Sequence, residues 1–481
     1  MDIGSEQLNT GETQPMKNIA KNQAAVKEVI ESLRTSIHGQ IITPSDNGYD
    51  QARGLFYGGF DKHPAVIVKV SDVQDIATTI STARQSGLEL SVRSGGHSVV
   101  GYSVSDGGIV LDLEKMKGMK IDPSGKTAWA ETGLRAGEYT KQAAAHDLAT
   151  GFGDTATVGL GGITLGGGVG YLVRKHGLTI DNLLSAEIVT ADGQVHLIDQ
   201  THEPDLFWAI RGGGGNFGVI SRFQFRLHPL GSALGGMLVL PATPEVLANV
   251  IHEVHQAPEE LSAIVNVMPA PPMPFLPEPL HGKVILMVML FYAGIDEKAH
   301  QSIERIRKLA QPLADMVRPM KYPEMFPPEE GGYHPTAVSR NMFMDEINRD
   351  KAAEMLDFLQ TSDAPFRVAQ LRPLGGAYAR VPADATAYAH RDSRNMVNLA
   401  AFFTGPDDKQ PKAEWLQRFA ESMQQNDSGS YVNFMEEVGE ERLKLAYPGN
   451  TWNRLQTIKA RYDPENLFCL NQNIPPAKGL Q

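Results

Sequence analysis

One glycine-rich stretch constrains what this chain can become. Residues 151–176 read GFGDTATVGLGGITLGGGVGYLVRKH. Glycine loses more backbone entropy on folding than any other residue and has no side chain to pack, so such a run does not serve stability. It lets backbone N–H groups come very close to a ligand, and the ligands that call for this are phosphates and flat cofactor rings. A second stretch lies upstream, Arg93-Ser94-Gly95-Gly96-His97-Ser98, with one arginine, two hydroxyls and a histidine around its glycines. A third, 211–218, reads RGGGGNFG.

The third stretch satisfies G-x-G-x-x-G as Gly213-Gly214-Gly215-Asn216-Phe217-Gly218. The dinucleotide-binding form of that pattern needs a strand before it and a helix after it. Here a short helix is predicted before it, over 203–210, and a strand after it, over 219–227, so the Rossmann reading fails. There is no P-loop, no H-E-x-x-H and no G-x-S-x-G. His252 and His255 are spaced wrongly for a zinc protease and read as an exposed helix face.

At 481 residues the chain is too long for one ordinary domain, and two lobes are expected. A net charge of −12 without a long basic run argues against nucleic acid and anionic membrane as partners. The single cysteine, Cys469, rules out an internal disulfide framework and is expected to pack in the core. The N-terminus has no apolar signal core, and no apolar run approaches the roughly 18–20 residues that span a bilayer. A cytosolic protein is expected, in which the sequon Asn426-Asp427-Ser428 has no role.

Along the chain, residues 1–18 read as disordered and 19–38 as an amphipathic helix. A β-α-β pattern follows: a strand at 64–70, a helix from a capping box at Ser71–Gln74 to a stop at Gly87, and a strand at 88–93. That strand delivers the SGGHS loop at its carboxyl end, where α/β sheets bind ligands. Strands are predicted at 108–113 and 127–131, a helix at 137–146, and a hairpin at 185–198 turning at Asp192-Gly193. After Pro229 the glycine clusters give way to alternating strands and helices with many prolines, including a buried strand at 283–291 and helices at 303–313 and 350–360. The fold class is α+β. The domains are expected at 19–229, 230–425 and 426–481, the last returning to the first lobe.

Five segments in order carry a resemblance: RSGGHS at 93–98, TVGLGGITLGGGVGYLVRKHGLTIDNL at 157–183, DLFWAIRGGGGNFGVI at 205–220, YVNF at 431–434, and 447–476. Together they resemble the flavin-linked oxidases of the p-cresol methylhydroxylase / vanillyl-alcohol oxidase fold, and within them the berberine-bridge-enzyme-like family. The resemblance implies an FAD-binding lobe split around a substrate lobe whose sheet is mixed or antiparallel. It implies FAD joined covalently through His97, whose imidazole is a good nucleophile toward the electrophilic flavin 8-methyl carbon. Doubly attached members carry a cysteine two residues before T-V-G. Thr155 stands there in this chain, so a single attachment is implied, with a lower potential than in doubly linked members.

By the same resemblance Arg93, Ser94, Gly95, Gly96 and Ser98 would cradle the pyrophosphate. Thr157, Val158, Gly161, Gly162, Ile163, Gly166, Gly168 and Val169 would line the other side of the cofactor, and Gly218, Val219 and Ile220 its adenine. Tyr431, Asn433, Asn471 and Gln472 match positions near the flavin ring or the substrate. Val158 matches the residue that gates oxygen, and its small size favours an oxidase. The function implied is hydride transfer from a C–H beside an alcohol or amine to the flavin, with O2 as reoxidant and hydrogen peroxide as product. A dehydrogenase using another acceptor and a flavin carrier without turnover stay open as alternatives.

The family's substrate base comes from the second lobe's last strand, and the corresponding stretch here, 395–399, has no Asp or Glu. Asn398 is its nearest polar candidate, but an amide takes no proton as a carboxylate does. An alcohol substrate would need a base such as a tyrosinate, for which Tyr431 is the candidate. Tyr378, Tyr388 and His390 read as sheet or surface residues. The substrate itself, and the oligomeric state, are not legible.

Overall fold

The computed structural model describes residues 14–326, 332–436 and 439–479, with side chains from residue 25 onward. The first helix runs Gln14–Ser36, so residues 14–18 are helical rather than disordered, and residues 1–13 lie outside the described residues. Four short strands then form one sheet in the order Gln40–Ile42, Val66–Lys69, Ile109–Asp112, Leu90–Arg93. The last three run parallel, joined through the helix Val73–Ser86. That helix is capped one residue later than the sequence suggests. Asp72 accepts the Asp75 N–H at 2.9 Å, because a carboxylate is the better acceptor for a helix N-terminus than Ser71, which hydrogen-bonds to Asp75 instead. Gly87 ends the helix at φ +69°, as expected.

A second, fully antiparallel sheet has the order Met119–Asp122, Thr127–Glu131, Val219–Arg226, Leu183–Val189, Val195–Asp199. The strand after the third glycine loop therefore runs through the centre of this sheet. Its first strand was not predicted from sequence: MKID has only two apolar residues, and both are half-buried. The helix Pro204–Ala209 before the loop and the strand from Val219 after it bear out the argument against a Rossmann fingerprint there.

The third sheet is eight-stranded and antiparallel, and all its strands lie between Ala233 and Phe402. Four helices, Pro244–Gln256, Glu297–Arg307, Arg349–Thr361 and Pro406–Met423, cover one face and share a core with it. The second of these starts earlier than the expected 303–313, because Asp296 caps it through the Ala299 N–H at 2.9 Å. The opposite face looks toward the first lobe. Strand alternation sorts the residues: Ala369, Leu371, Val397, Leu399 and Ala401 point into the helix-covered core, while Val368, Gln370, Arg372, Asn398, Ala400 and Phe402 point to a cavity between the lobes.

The tail packs back onto the first lobe. The helix Asn450–Tyr462 carries Lys459, whose fully buried ammonium donates to the Asn216 carbonyl at 2.8 Å, the Asp463 carboxylate at 2.6 Å and the Phe468 carbonyl at 3.0 Å. Asn216 in turn donates to the Gln472 carbonyl at 3.1 Å and accepts the Ile474 N–H at 2.9 Å. The third glycine loop is thus clamped by the end of the chain. Removing one partner of a buried ion pair leaves the other charge uncompensated. Asp463→Ala is expected to lower the unfolding free energy by about 3–5 kcal/mol, read as a fall in the urea midpoint.

Candidate functional site

The strand Leu90–Arg93 ends where the second glycine loop begins. The Arg93 side chain turns inward and pairs with buried Asp112 at 2.6 Å, so it anchors the loop's start and does not line the cavity, contrary to the expectation of phosphate contact. Ser94 Oγ donates to the Thr132 carbonyl at 2.5 Å and accepts the Gly161 N–H at 3.1 Å. Gly95 and Gly159 meet backbone to backbone: a Cβ on either would lie 2.2 Å from the other's amide nitrogen. Only two glycines can approach so closely, and the two glycine loops become one wall.

That wall bounds a cavity of about 540 Å³. Ser94, Gly95, Gly96, His97 and Ser98 line it from the second loop; Thr155, Val158, Gly161, Gly162, Ile163 and Val169 from the glycine-rich stretch. Gly218, Val219 and Ile220 line it from the third loop, and Tyr431, Asn433, Asn471 and Gln472 from the tail. Residues from four distant segments thus converge on one space. Thr157, Gly166 and Gly168 do not line it. Gly166 abuts the Asn433 amide, where a Cβ would sit 2.0 Å from Oδ1, and Gly168, at φ +82°, donates its N–H to the Tyr431 hydroxyl at 2.9 Å. These two glycines seat the tail.

The glycines differ in what their missing side chains leave behind. A Cβ on Gly95, Gly159 or Gly166 would strike protein, whereas one on Gly162 or Gly215 would meet nothing within 4 Å. Both of the latter face the cavity. Their absent side chains leave room for something else. Residues that line the cavity from the other lobe and the tail carry buried polar atoms without partners: Asn398 Oδ1, Asn471 Oδ1, and Nε and Nη1 of Arg372. Unpaired buried polar atoms facing a cavity mark where a polar ligand binds.

His97 stacks on Phe56 with ring centroids 4.1 Å apart and planes 17° from parallel. Burial, with the nearby Arg135 charge, pulls its pKa down to about 4, and its ring hydrogen-bonds to the Thr157 carbonyl. At neutral pH the imidazole is uncharged; one nitrogen holds a proton for Thr157 and the other keeps its lone pair. Tyr431 OH accepts from the Gly168 N–H and from Asn433 Nδ2, both at 2.9 Å. Burial nevertheless raises its pKa, so the group is a neutral phenol at neutral pH and can donate a hydrogen bond. Asn398 lies on the strand Asn395–Phe402, opposite Asn341 and Gln370, facing the cavity as expected.

Three expectations from sequence are corrected. Tyr378, Tyr388 and His390 are buried rather than on the surface; the Tyr378 hydroxyl hydrogen-bonds to the His390 carbonyl, and Tyr388 packs against Tyr431 beneath Gly167. His255 is half-buried and pairs with Asn395 at 3.0 Å, so only His252 is exposed. Cys469 is half-buried rather than in the core.

Sequence reasoning missed the cavity's charged groups. Arg372, on the strand Arg367–Pro373, is 3% exposed and pairs with Asp154 at 2.7 Å across the two lobes, while its guanidinium lies over the Phe434 ring. Glu436, three residues beyond Asn433, also lines the cavity and accepts from Ser339 Oγ at 2.9 Å. The alternation over 367–373 could have revealed Arg372. Glu436 sits in an acidic run that reads as a solvated surface, and nothing in the sequence separates it from its neighbours.

Comparison with known proteins agrees with this site. Residues 64–199 match the model of an FAD binding domain, and residues 430–475 that of the berberine and berberine-like family. The chain is 31% identical over 456 residues to (R)-6-hydroxynicotine oxidase of Paenarthrobacter nicotinovorans, covering 92% of this chain and 97% of that one. It is 30% identical to an FAD-linked oxidoreductase of Dictyostelium discoideum, covering 86% and 89%. The crystal structure of 6-hydroxy-D-nicotine oxidase from Arthrobacter nicotinovorans superposes with a TM-score of 0.81 at 29% identity, covering 92% of this chain and 99% of that one.

The two classes of glycine give a direct test. Gly159→Ala forces backbone apart at the loop contact, about 1–3 kcal/mol of strain, and is expected to lower the melting temperature of the ligand-free protein by about 1–3 °C. Gly162→Ala enters open space and is expected to leave that melting temperature unchanged while weakening cofactor retention. Thermal melts of the two variants, with and without added FAD, check both outcomes.

Proposed function

The chain belongs to the berberine-like family of FAD-linked oxidoreductases, and we propose that within it this protein is an oxidase of substrates whose reacting carbon bears an alcohol or an amine. The residues present fit FAD: the two glycine positions open to the cavity leave room for it, and the loop amides and hydroxyls suit its phosphates. FAD bound there supplies a two-electron oxidant that takes hydride from the substrate carbon and passes the electrons to O2, giving hydrogen peroxide.

The observation that carries this reading is the state of His97. Its imidazole is neutral, is oriented by the Thr157 carbonyl, stacks on Phe56 and lines the cavity. That is the form able to attack a flavin methyl carbon, and it supports one covalent bond through His97. Thr155, also on the wall, offers a hydroxyl where a second attachment would need a thiolate. Val158 on the same wall is held by its carbonyl, which accepts the Ala136 N–H at 2.8 Å, and its small side chain supports access of O2. On the substrate side, the Tyr431 phenol, fixed by Gly168 and Asn433, is placed to donate a hydrogen bond, and the free Asn398 Oδ1 to accept one.

Acid precipitation of the purified protein with intact-mass measurement tests the attachment. Yellow colour is expected in the pellet, with a mass increase of one FAD, and His97→Ala is expected to release the flavin to the supernatant. After anaerobic reduction by substrate, air is expected to restore the oxidised spectrum with one peroxide per turnover. Slow reoxidation by air together with fast reoxidation by an artificial acceptor would select a dehydrogenase instead.

A further inference from the structure

This inference rests on the oxidase reading above and narrows the substrate that its cavity takes. We propose that Glu436 is a substrate-docking carboxylate, which holds a substrate bearing a protonated amine and takes that amine's proton.

Glu436 faces the same cavity as Asn398 and Tyr431, at the second-lobe end of the site. Ser339 Oγ donates to its Oε1 at 2.9 Å, and the Ser339 backbone N–H adds a further hydrogen bond, so the carboxyl group is oriented by its neighbour on the sheet. Arg372, a buried cation of the same cavity, pairs through Nη2 with Asp154 and is not among the charges that act on Glu436, while its Nε and Nη1 stay without a protein partner. Arg340 and Lys409 favour the ionised form of Glu436 more weakly than burial opposes it, and Arg442 shares a small adjoining pocket with it. The Tyr57 phenol is pushed up to about 12, first by burial and then by the charges of Asp154 and Glu436, and Tyr431 is also raised by burial, so both are neutral phenols near neutral pH. Tyr57, Phe402 and Phe434 line the same space, and aromatic faces attract organic cations.

A carboxylate in that setting gains most from a cationic guest, which restores the charge balance that burial disturbs. The proton step is simple. The ammonium N–H bond breaks, the proton joins a Glu436 oxygen, and the electron pair stays on nitrogen. The neutral amine is the form from which hydride can leave the adjacent carbon, because its lone pair stabilises the iminium product. Burial raises the Glu436 carboxyl to about 7. Docking therefore strengthens as pH rises through 7, when the carboxylate forms, and weakens again where the amine loses its own proton.

The test uses the flavin-loaded protein and a matched pair of probes, 2-phenylpyrrolidine and its uncharged ether analogue 2-phenyltetrahydrofuran, by calorimetry. The amine is expected to bind about tenfold more tightly at pH 8 than at pH 6, the change in carboxylate fraction about a midpoint near 7. The ether is expected to bind weakly at both. Glu436→Gln is expected to abolish the amine's advantage without loss of flavin or of melting temperature. Ser339→Ala removes a donor that favours the ionised form, and is expected to move the pH midpoint upward. In parallel, cyclic amines are expected to bleach the flavin anaerobically and neutral sugars and alcohols to leave it oxidised. Equal binding of amine and ether, an advantage retained in Glu436→Gln, or bleaching by alcohols or sugars and by no amine overturns the proposal. A flavin-loaded protein that no compound of either kind reduces overturns the oxidase reading, and calorimetry then separates that failure from a failure of docking.

Discussion

The contact between Gly95 and Gly159 is the constraint on which the site depends. Two backbones cannot pass within that distance if either carries a side chain. Their approach lets Ser94 bridge the Thr132 carbonyl and the Gly161 amide, and it sets the position of His97 two residues on. Behind the contact, the buried Arg93–Asp112 pair fixes the strand end from which the loop departs. The arginine that sequence alone suggested for phosphate is thus spent on holding the loop. The cofactor wall is then built from backbone groups, which suits a ligand bearing phosphates.

The other half of the site follows from strand alternation. One face of the eight-stranded sheet is sealed by four helices, and alternate residues on its strands Arg367–Pro373 and Asn395–Phe402 are left to face the cavity toward the first lobe. The polar members of that set, Gln370, Arg372 and Asn398, would be costly there without partners. Arg372 finds one in Asp154, which ties the substrate sheet to the glycine-rich stretch. The tail contributes the remaining groups, and Gly166 and Gly168 make room for Tyr431 and Asn433 to reach the cavity edge.

Much of this was legible in the sequence, for physical reasons that differ between elements. The glycine loops stood out because nothing but close backbone approach explains such composition. The β-α-β unit before His97 and the helix–loop–strand around Gly213 followed from periodicity and capping. The strand Met119–Asp122 was hidden because an edge strand with two half-buried apolar residues leaves little pattern. Tyr378, Tyr388 and His390 were misplaced because a buried aromatic cluster spread over a one-turn helix and the irregular backbone after it has no period to betray it. Glu436 was hidden by its acidic surroundings.

The clamp of Lys459 on Asn216 also bears on the order in which the molecule can be made. The central strand of the first lobe's antiparallel sheet ends at Arg226, and the tail residues that close its cavity begin at Tyr431. About two hundred residues of the other lobe emerge from the ribosome in between, which takes roughly 10–40 s at 5–20 residues per second. Throughout that interval the third glycine loop lacks Lys459, Gln472 and Ile474, and the apolar surface around Phe217 that Leu455 and Ile474 later cover has no lid. The first lobe must therefore wait, partly assembled, for the segment that completes it, so its cavity is closed only late in synthesis.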